Sequence, residues 1–161
     1  MVWGSSIYAK VIAFNNYGDS ATSIVGNGAV ILTNPDAPLS LSEVVASRAA
    51  TSITISWTAG IKNGGAPVLD YTIYYKQSGG SFTTLKVGEK SLTYTATGLT
   101  SGIRYQFYVL ARNTFGPSVA SSTLDILCAT LPGIPTGVQT SNLANTVVLN
   151  WNLPPNNGLP I

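Results

Sequence analysis

The chain has 161 residues, only 9% of them charged, and a net charge of +2 at neutral pH. With charge well below the usual share of about 25% and no cluster of Lys and Arg, electrostatic binding to nucleic acid or to a membrane surface is not expected. The absence of histidine and the single cysteine remove the commonest general base, the usual hydrolase triad, the usual zinc ligand and any disulfide within the chain.

Residues 1–33 read as two strands. Ile7, Ala9, Val11 and Ala13 alternate with Tyr8, Lys10, Ile12 and Phe14, and Asn15-Asn16-Tyr17-Gly18-Asp19 is a turn. The second strand ends in Ala29–Thr33, and Gly26-Asn27-Gly28 within it predicts a bulge. A lone hairpin is at best marginally stable in water, so this segment needs something to pack on. Thr33-Asn34-Pro35-Asp36-Ala37-Pro38 follows, and its punctuation recurs at Thr130-Leu131-Pro132-Gly133-Ile134-Pro135. Two prolines so close fix an extended backbone and discourage stray pairing at a sheet edge.

Between these marks seven strands are predicted, at about Leu39–Ala46, Thr51–Thr58, Val68–Lys76, Phe82–Val87, Leu92–Ala96, within Leu99–Gly116, and Ser118–Ala129. Ile53, Ile55 and Trp57 share one face of the second, and Tyr71, Ile73 and Tyr75 one face of the third. The sixth alternates most strictly, through Tyr105, Phe107, Val109 and Ala111. Seven short strands with turns at such intervals point to an antiparallel sandwich. After Pro135 the pattern restarts: Val138 stands for Leu41, Val147, Leu149 and Trp151 repeat Ile53, Ile55 and Trp57, and Asn156-Asn157-Gly158 repeats Asn63-Gly64-Gly65. Upstream, Val11, Ala13, Asn15 and Gly18 repeat Val109, Ala111, Asn113 and Gly116. Repetition at one domain length signals a repeat architecture.

The ordered set Pro35-x-x-Pro38-x-x-Leu41, Trp57, Asn63-Gly64-Gly65-x-Pro67 and Leu99-x-x-Gly102-x-x-Tyr105-x-Phe107-x-Val109-x-Ala111-x-Asn113-x-x-Gly116 resembles a fibronectin type III repeat. The resemblance implies an all-β, immunoglobulin-like antiparallel sandwich. Its first, second and fifth strands would form one sheet, and its third, fourth, sixth and seventh the other. On this reading residues 1–33 are the end of one repeat (its last two strands), 34–131 a complete repeat, and 132–161 the first two strands of another. Tyr105 would be the tyrosine-corner residue, its hydroxyl bonded to backbone of the turn before its strand; Ile7 replaces it upstream. The stretch VWGSSIYAKVIAFNNYGDS resembles repeats of large surface proteins of ciliated protists.

No catalytic, cofactor-binding or metal-ligating residue is expected. Cys128 falls opposite Ile31 in the repeat, which marks a packing position for a small hydrophobe. Phe115 and Tyr17 occupy equivalent turns and are expected to pack against a neighbouring repeat or loop. The family's Arg-Gly-Asp adhesion motif is missing from both turns. Asn63-Gly64-Gly65 and Asn156-Asn157-Gly158 lack the Lys-Ser/Thr of a phosphate loop and read as turn chemistry. Asp19, Asp36, Glu43, Asp70, Glu89 and Asp125 are scattered singly, whereas a calcium site needs converging oxygens. The expected function is a non-catalytic spacer, adhesive or coat-forming module of a tandem array. It would meet protein partners at the cell surface or outside the cell, without nucleic acid and without inserting this segment into a membrane. The alternatives are a cytoplasmic or ciliary scaffold of tandem sandwiches and an accessory domain of a secreted enzyme.

Overall fold

The computed structural model describes residues 2–161. Strands β1 (Ser6–Ile7), β2 (Phe14–Asn15), β3 (Gly18–Asp19) and β4 (Ala29–Val30) form the first hairpin. The central sandwich comprises β5 (Leu39–Glu43), β6 (Ile53–Thr58), β7 (Asp70–Gln77), β8 (Thr83–Glu89), β9 (Thr93–Ala96), β10 (Arg104–Arg112) and β11 (Leu124–Leu127). A last hairpin joins β12 (Thr136–Leu143) to β13 (Thr146–Asn152). The sandwich pairs a sheet of order β5-β6-β9 with one of order β11-β10-β7-β8, all antiparallel. This is the arrangement the resemblance implies.

Period-two alternation builds the core. Tyr105, Phe107, Val109 and Ala111 of β10 are all buried and meet Ile53, Ile55 and Trp57 of β6 across the interior. Tyr71 and Ile73 of β7 join them, with the Trp57 ring edge-on to Tyr71 at 5.5 Å between centroids. Each such side chain contributes about 1.5–3 kcal/mol of burial, so this layer dominates the stability of the sandwich. Pro35 and Pro38 are also buried.

Two expectations need correction. The seventh strand, expected over Ser118–Ala129, forms a regular ladder only at Leu124–Leu127. The first strand, expected over Ile7–Asn15, survives only at its ends, as β1 and β2. One device explains both. Ser118 donates its N–H to the Ala111 carbonyl, while the Ala111 N–H is accepted by Ser118 Oγ; Ser121 does the same with Val109. Three residues are thereby spent against every two of β10, and the hydroxyls replace backbone carbonyls as acceptors. Upstream, Ser20 with Ala13 and Ser23 with Val11 make the same set of bonds. The bulge expected at Gly26–Gly28 is there: Asn27 and Gly28 stand opposite Tyr8 alone, between the Gly26–Ala9 bond and the Ala29–Ile7 pair.

The last hairpin reproduces the β5–β6 register. Leu39 faces Thr58 and Ser42 faces Ser56, with an irregularity between; Thr136 faces Asn152 and Gln139 faces Asn150, with an irregularity in the same place. Positive φ is needed there, and Ser40 (54°) and Gly137 (64°) supply it. What differs is cover. Val109, Ile55 and Trp57 are 0%, 0% and 3% exposed, whereas their counterparts Val11, Leu149 and Trp151 are 68%, 54% and 53% exposed.

Candidate functional site

The residues singled out in the sequence do not converge. Cys128 is buried, its Sγ donating toward the Ala50 carbonyl at 3.3 Å, and burial pushes its thiol pKa up. That setting suppresses the thiolate and fits the packing role. Phe115 is 62% exposed and Tyr17 wholly so. Each follows by two residues the Asn whose side chain closes its turn, Asn113 Oδ1 accepting from Phe115 N and Asn15 Oδ1 from Tyr17 N. The turn is therefore satisfied locally, and the ring is left as a tip. Loop tips of this kind are where contact residues concentrate.

Tyr105 forms the expected corner. Its hydroxyl, buried, accepts from the Thr100 N–H at 2.9 Å, in the turn before β10, with Gln77 Nε2 at 3.4 Å. Tyr105→Phe is expected to lower stability by about 0.5–1.5 kcal/mol, measured by urea unfolding. An unchanged midpoint would mean the corner bond adds nothing net.

The two proline-marked segments are held in the same way. The Thr33 N–H donates to the Gly64 carbonyl at 2.9 Å, and the Thr130 N–H to the Asn157 carbonyl at 3.0 Å. Asp36 N–H donates to Lys62 O, and Gly133 N–H to Pro155 O, both at 2.9 Å. Gly65 N–H and Gly158 N–H are accepted by Asn63 Oδ1 and Asn156 Oδ1. Gly65 and Gly158 have φ of 88° and 102°, as turn chemistry predicts. Turn chemistry alone does not explain their surroundings. A Cβ on Gly65 would lie 2.9 Å from Ile31 O and 3.0 Å from Gly4 N; one on Gly158 would lie 2.9 Å from Cys128 O and 2.7 Å from Gly102 N. Gly4 and Gly102 are themselves counterparts, each donating its N–H at 2.8 Å to the carbonyl of Ile31 or Cys128. Periodicity of the glycines is the signal that could have located these contacts.

Asn113 links the pieces. Its Oδ1 accepts from Phe115 and Gly116, and its Nδ2 donates to the carbonyls of Thr33 and Asn63 at 2.8 Å each. All four hydrogen-bonding positions of the amide are used, and the residue is buried.

The solvent face of the larger sheet carries an aromatic cluster. Tyr74 and Tyr108 stack across β7 and β10 at 4.8 Å, Phe82 meets Tyr108 edge-on at 4.7 Å, and Lys76 Nζ lies 4.9 Å from the Phe82 ring centre. All four side chains are half-buried, so the cluster presents mixed apolar and polar area of the kind protein interfaces favour. A groove of about 640 Å³ runs beside the edge strands β5 and β11, flanked by the Arg48–Glu43 and Arg104–Asp125 pairs.

Glu43, Asp70 and Asp125 each pair with an arginine. Arg112 pairs bidentately with Asp70, and its hydrogen bonds hold the Asp70 carboxyl below its ordinary pKa. Gln106 and then Arg104 do the same for Asp125. Both carboxylates therefore add stability above the ordinary aspartate pKa of about 4, and lose it as pH falls through their depressed folded values. Urea midpoints measured from pH 7 down to pH 2 should fall on the acid side, and Arg112→Ala should flatten that fall. Identical acid limbs in the two proteins would refute the role of this pair.

Fold and surface together define an immunoglobulin-like β-sandwich that offers loop tips and sheet faces. Residues 36–125 match the Fibronectin type III domain, and the chain belongs to that family. It is 36% identical over 104 residues to Kelch domain-containing protein SSO1033 of Saccharolobus solfataricus, covering 65% of this chain and 13% of that protein. It is 28% identical over 137 residues to the cell adhesion molecule Dscam2 of Drosophila melanogaster, covering 82% of this chain and 6% of that protein. The solved structure of domains A168–A170 from titin superposes with a TM-score of 0.59 at 21% identity, covering 76% of this chain and 41% of that one. The chain thus spans only a small fraction of these curated relatives. No described helix is long and apolar enough to cross a membrane.

Proposed function

We propose that the chain is a non-catalytic structural and protein-interaction module, part of a tandem fibronectin type III array that spaces, bridges or coats at the cell surface or outside the cell. The observation that carries this reading is the uncovered apolar face of each flanking hairpin. Positions buried in the central sandwich recur at Val11, Leu149 and Trp151 and are about half or more exposed there. Such faces are those of sandwiches awaiting their other strands, since an open apolar face and open strand edges are liabilities in a free protein. On this reading 1–33 closes one repeat, 34–131 is whole, and 132–161 opens the next. The Dscam2 likeness supports adhesion at a surface, with Phe115, Tyr17 and the Tyr74–Tyr108 face as the contact area.

The location is tested by labelling intact producing cells with a membrane-impermeant amine reagent. The reading predicts that the protein is labelled without lysis. Labelling only after lysis contradicts it and favours the intracellular scaffold.

A further inference from the structure

The matched contacts at Thr33 and Thr130 carry an inference about how neighbouring repeats are set. We propose that the loop after the second strand of each repeat and the glycine that opens the sixth strand of the repeat before it form a clasp, which gives every repeat the same orientation to its predecessor. The partner surface is therefore another copy of the same module. The proposal rests on the tandem-array reading above and adds a rule to it.

Three observations support the rule. First, the same atoms meet at both places. A loop carbonyl, of Gly64 or Asn157, accepts the N–H of Thr33 or Thr130, and a loop glycine, Gly65 or Gly158, comes against the backbone of Gly4 with Ile31 or of Gly102 with Cys128. Second, at both loop glycines an added Cβ would stand within 3.0 Å of the backbone of the preceding repeat. Only glycine lets two backbones come that near. Third, an asparagine amide adds a bond to the carbonyl of the linking segment at each place: Asn113 Nδ2 to Thr33 O, and Asn157 Nδ2 to Leu131 O. The two amides come from different elements and hold neighbouring carbonyls of corresponding linking segments.

Few bonds suffice here. The segments are joined by only a few residues, so their contact is intramolecular and works at high effective concentration. Prolines at 35 and 38, and again at 132 and 135, remove much of the torsional freedom that would oppose it. The consequence is a rod with a regular turn per repeat, on which exposed tips such as Tyr17 and Phe115 recur at a fixed azimuth. A string of freely jointed sandwiches would scatter them.

The test uses the 161-residue chain. Residual dipolar couplings are measured for the amides of β6 and β10 and for those of β12 and β13, with hydrogen exchange at Thr33 and Thr130. The clasp predicts one common alignment tensor and exchange at both threonines slowed by roughly 100-fold relative to unstructured chain. Gly158→Val should split the couplings into two tensors and strip Thr130 of its protection, while leaving Thr33 and the β6 and β10 amides unchanged. Two tensors in the unsubstituted chain, or exchange at unstructured rates at Thr33 and Thr130, would overturn the clasp. So would Gly158→Val leaving the couplings and Thr130 as they were. Any of these would leave an array of loosely jointed repeats standing; that reading fails separately, on the size of the native protein.

Discussion

Asn113→Asp is expected to destabilise the central sandwich by about 3–5 kcal/mol at neutral pH, the range seen when a buried charge is left uncompensated. The amide is buried and fully engaged, with Nδ2 between the Thr33 and Asn63 carbonyls. A carboxylate keeps the bonds from the Phe115 and Gly116 N–H groups but sets a negative oxygen against two carbonyl oxygens. The new carboxyl should therefore be held protonated more strongly in the folded chain than in the unfolded one. Its raised folded pKa means that the substituted protein regains stability below the unfolded pKa of about 4 and loses it as pH rises through the folded value. Urea midpoints at pH 7 and pH 3.5 check this. The gap from the unsubstituted protein should be wide at pH 7 and narrow at pH 3.5; a gap independent of pH would show that charge burial is not the cause.

Replacing Ser118 and Ser121 together with alanine should cost about 1–3 kcal/mol for each amide left without an acceptor. The Ala111 and Val109 N–H groups are buried in the core layer and reach only these two hydroxyls. The upstream pair supplies a control. Ser20 and Ser23 make the same bonds to Ala13 and Val11, but every group there is exposed. Water takes over when those hydroxyls are removed, so Ser20→Ala with Ser23→Ala should shift stability by no more than about 0.5 kcal/mol. Thermal and urea unfolding of both double variants decide the matter. Equal effects at the two places would mean that burial is not what sets the cost.

Much of the fold is legible because β10 alternates along its whole length, because Ile53, Ile55 and Trp57 share the buried face of β6, and because the spacing of Trp57 and Tyr105 fits one sandwich. Tyr71, Ile73 and Tyr75 face inward as read. The ends of strands were less legible. The stretch from Ser118 to Ala129 has strand-like composition, and only the seryl oxygens, acting as stand-in acceptors, break its ladder. The spacing Ser-x-x-Ser at 20–23 and 118–121 is the trace that this device leaves in sequence. The Asn113 and Asn15 side chains close the turns that carry Phe115 and Tyr17 without help from the rings. The glycines at 65 and 158 were read as turn residues, correctly as to φ, but a close approach between distant backbones leaves no local pattern. It emerges only when Gly65 with Gly4 is compared with Gly158 with Gly102.

The tandem array is tested most directly by the mass of the native polypeptide isolated from its source. Pro35 and Pro132 lie 97 positions apart, so the account predicts a chain of several such periods in which the sequence here is one stretch. A native polypeptide of 161 residues, stable as a monomer with Val11, Leu149 and Trp151 open to solvent, would contradict it.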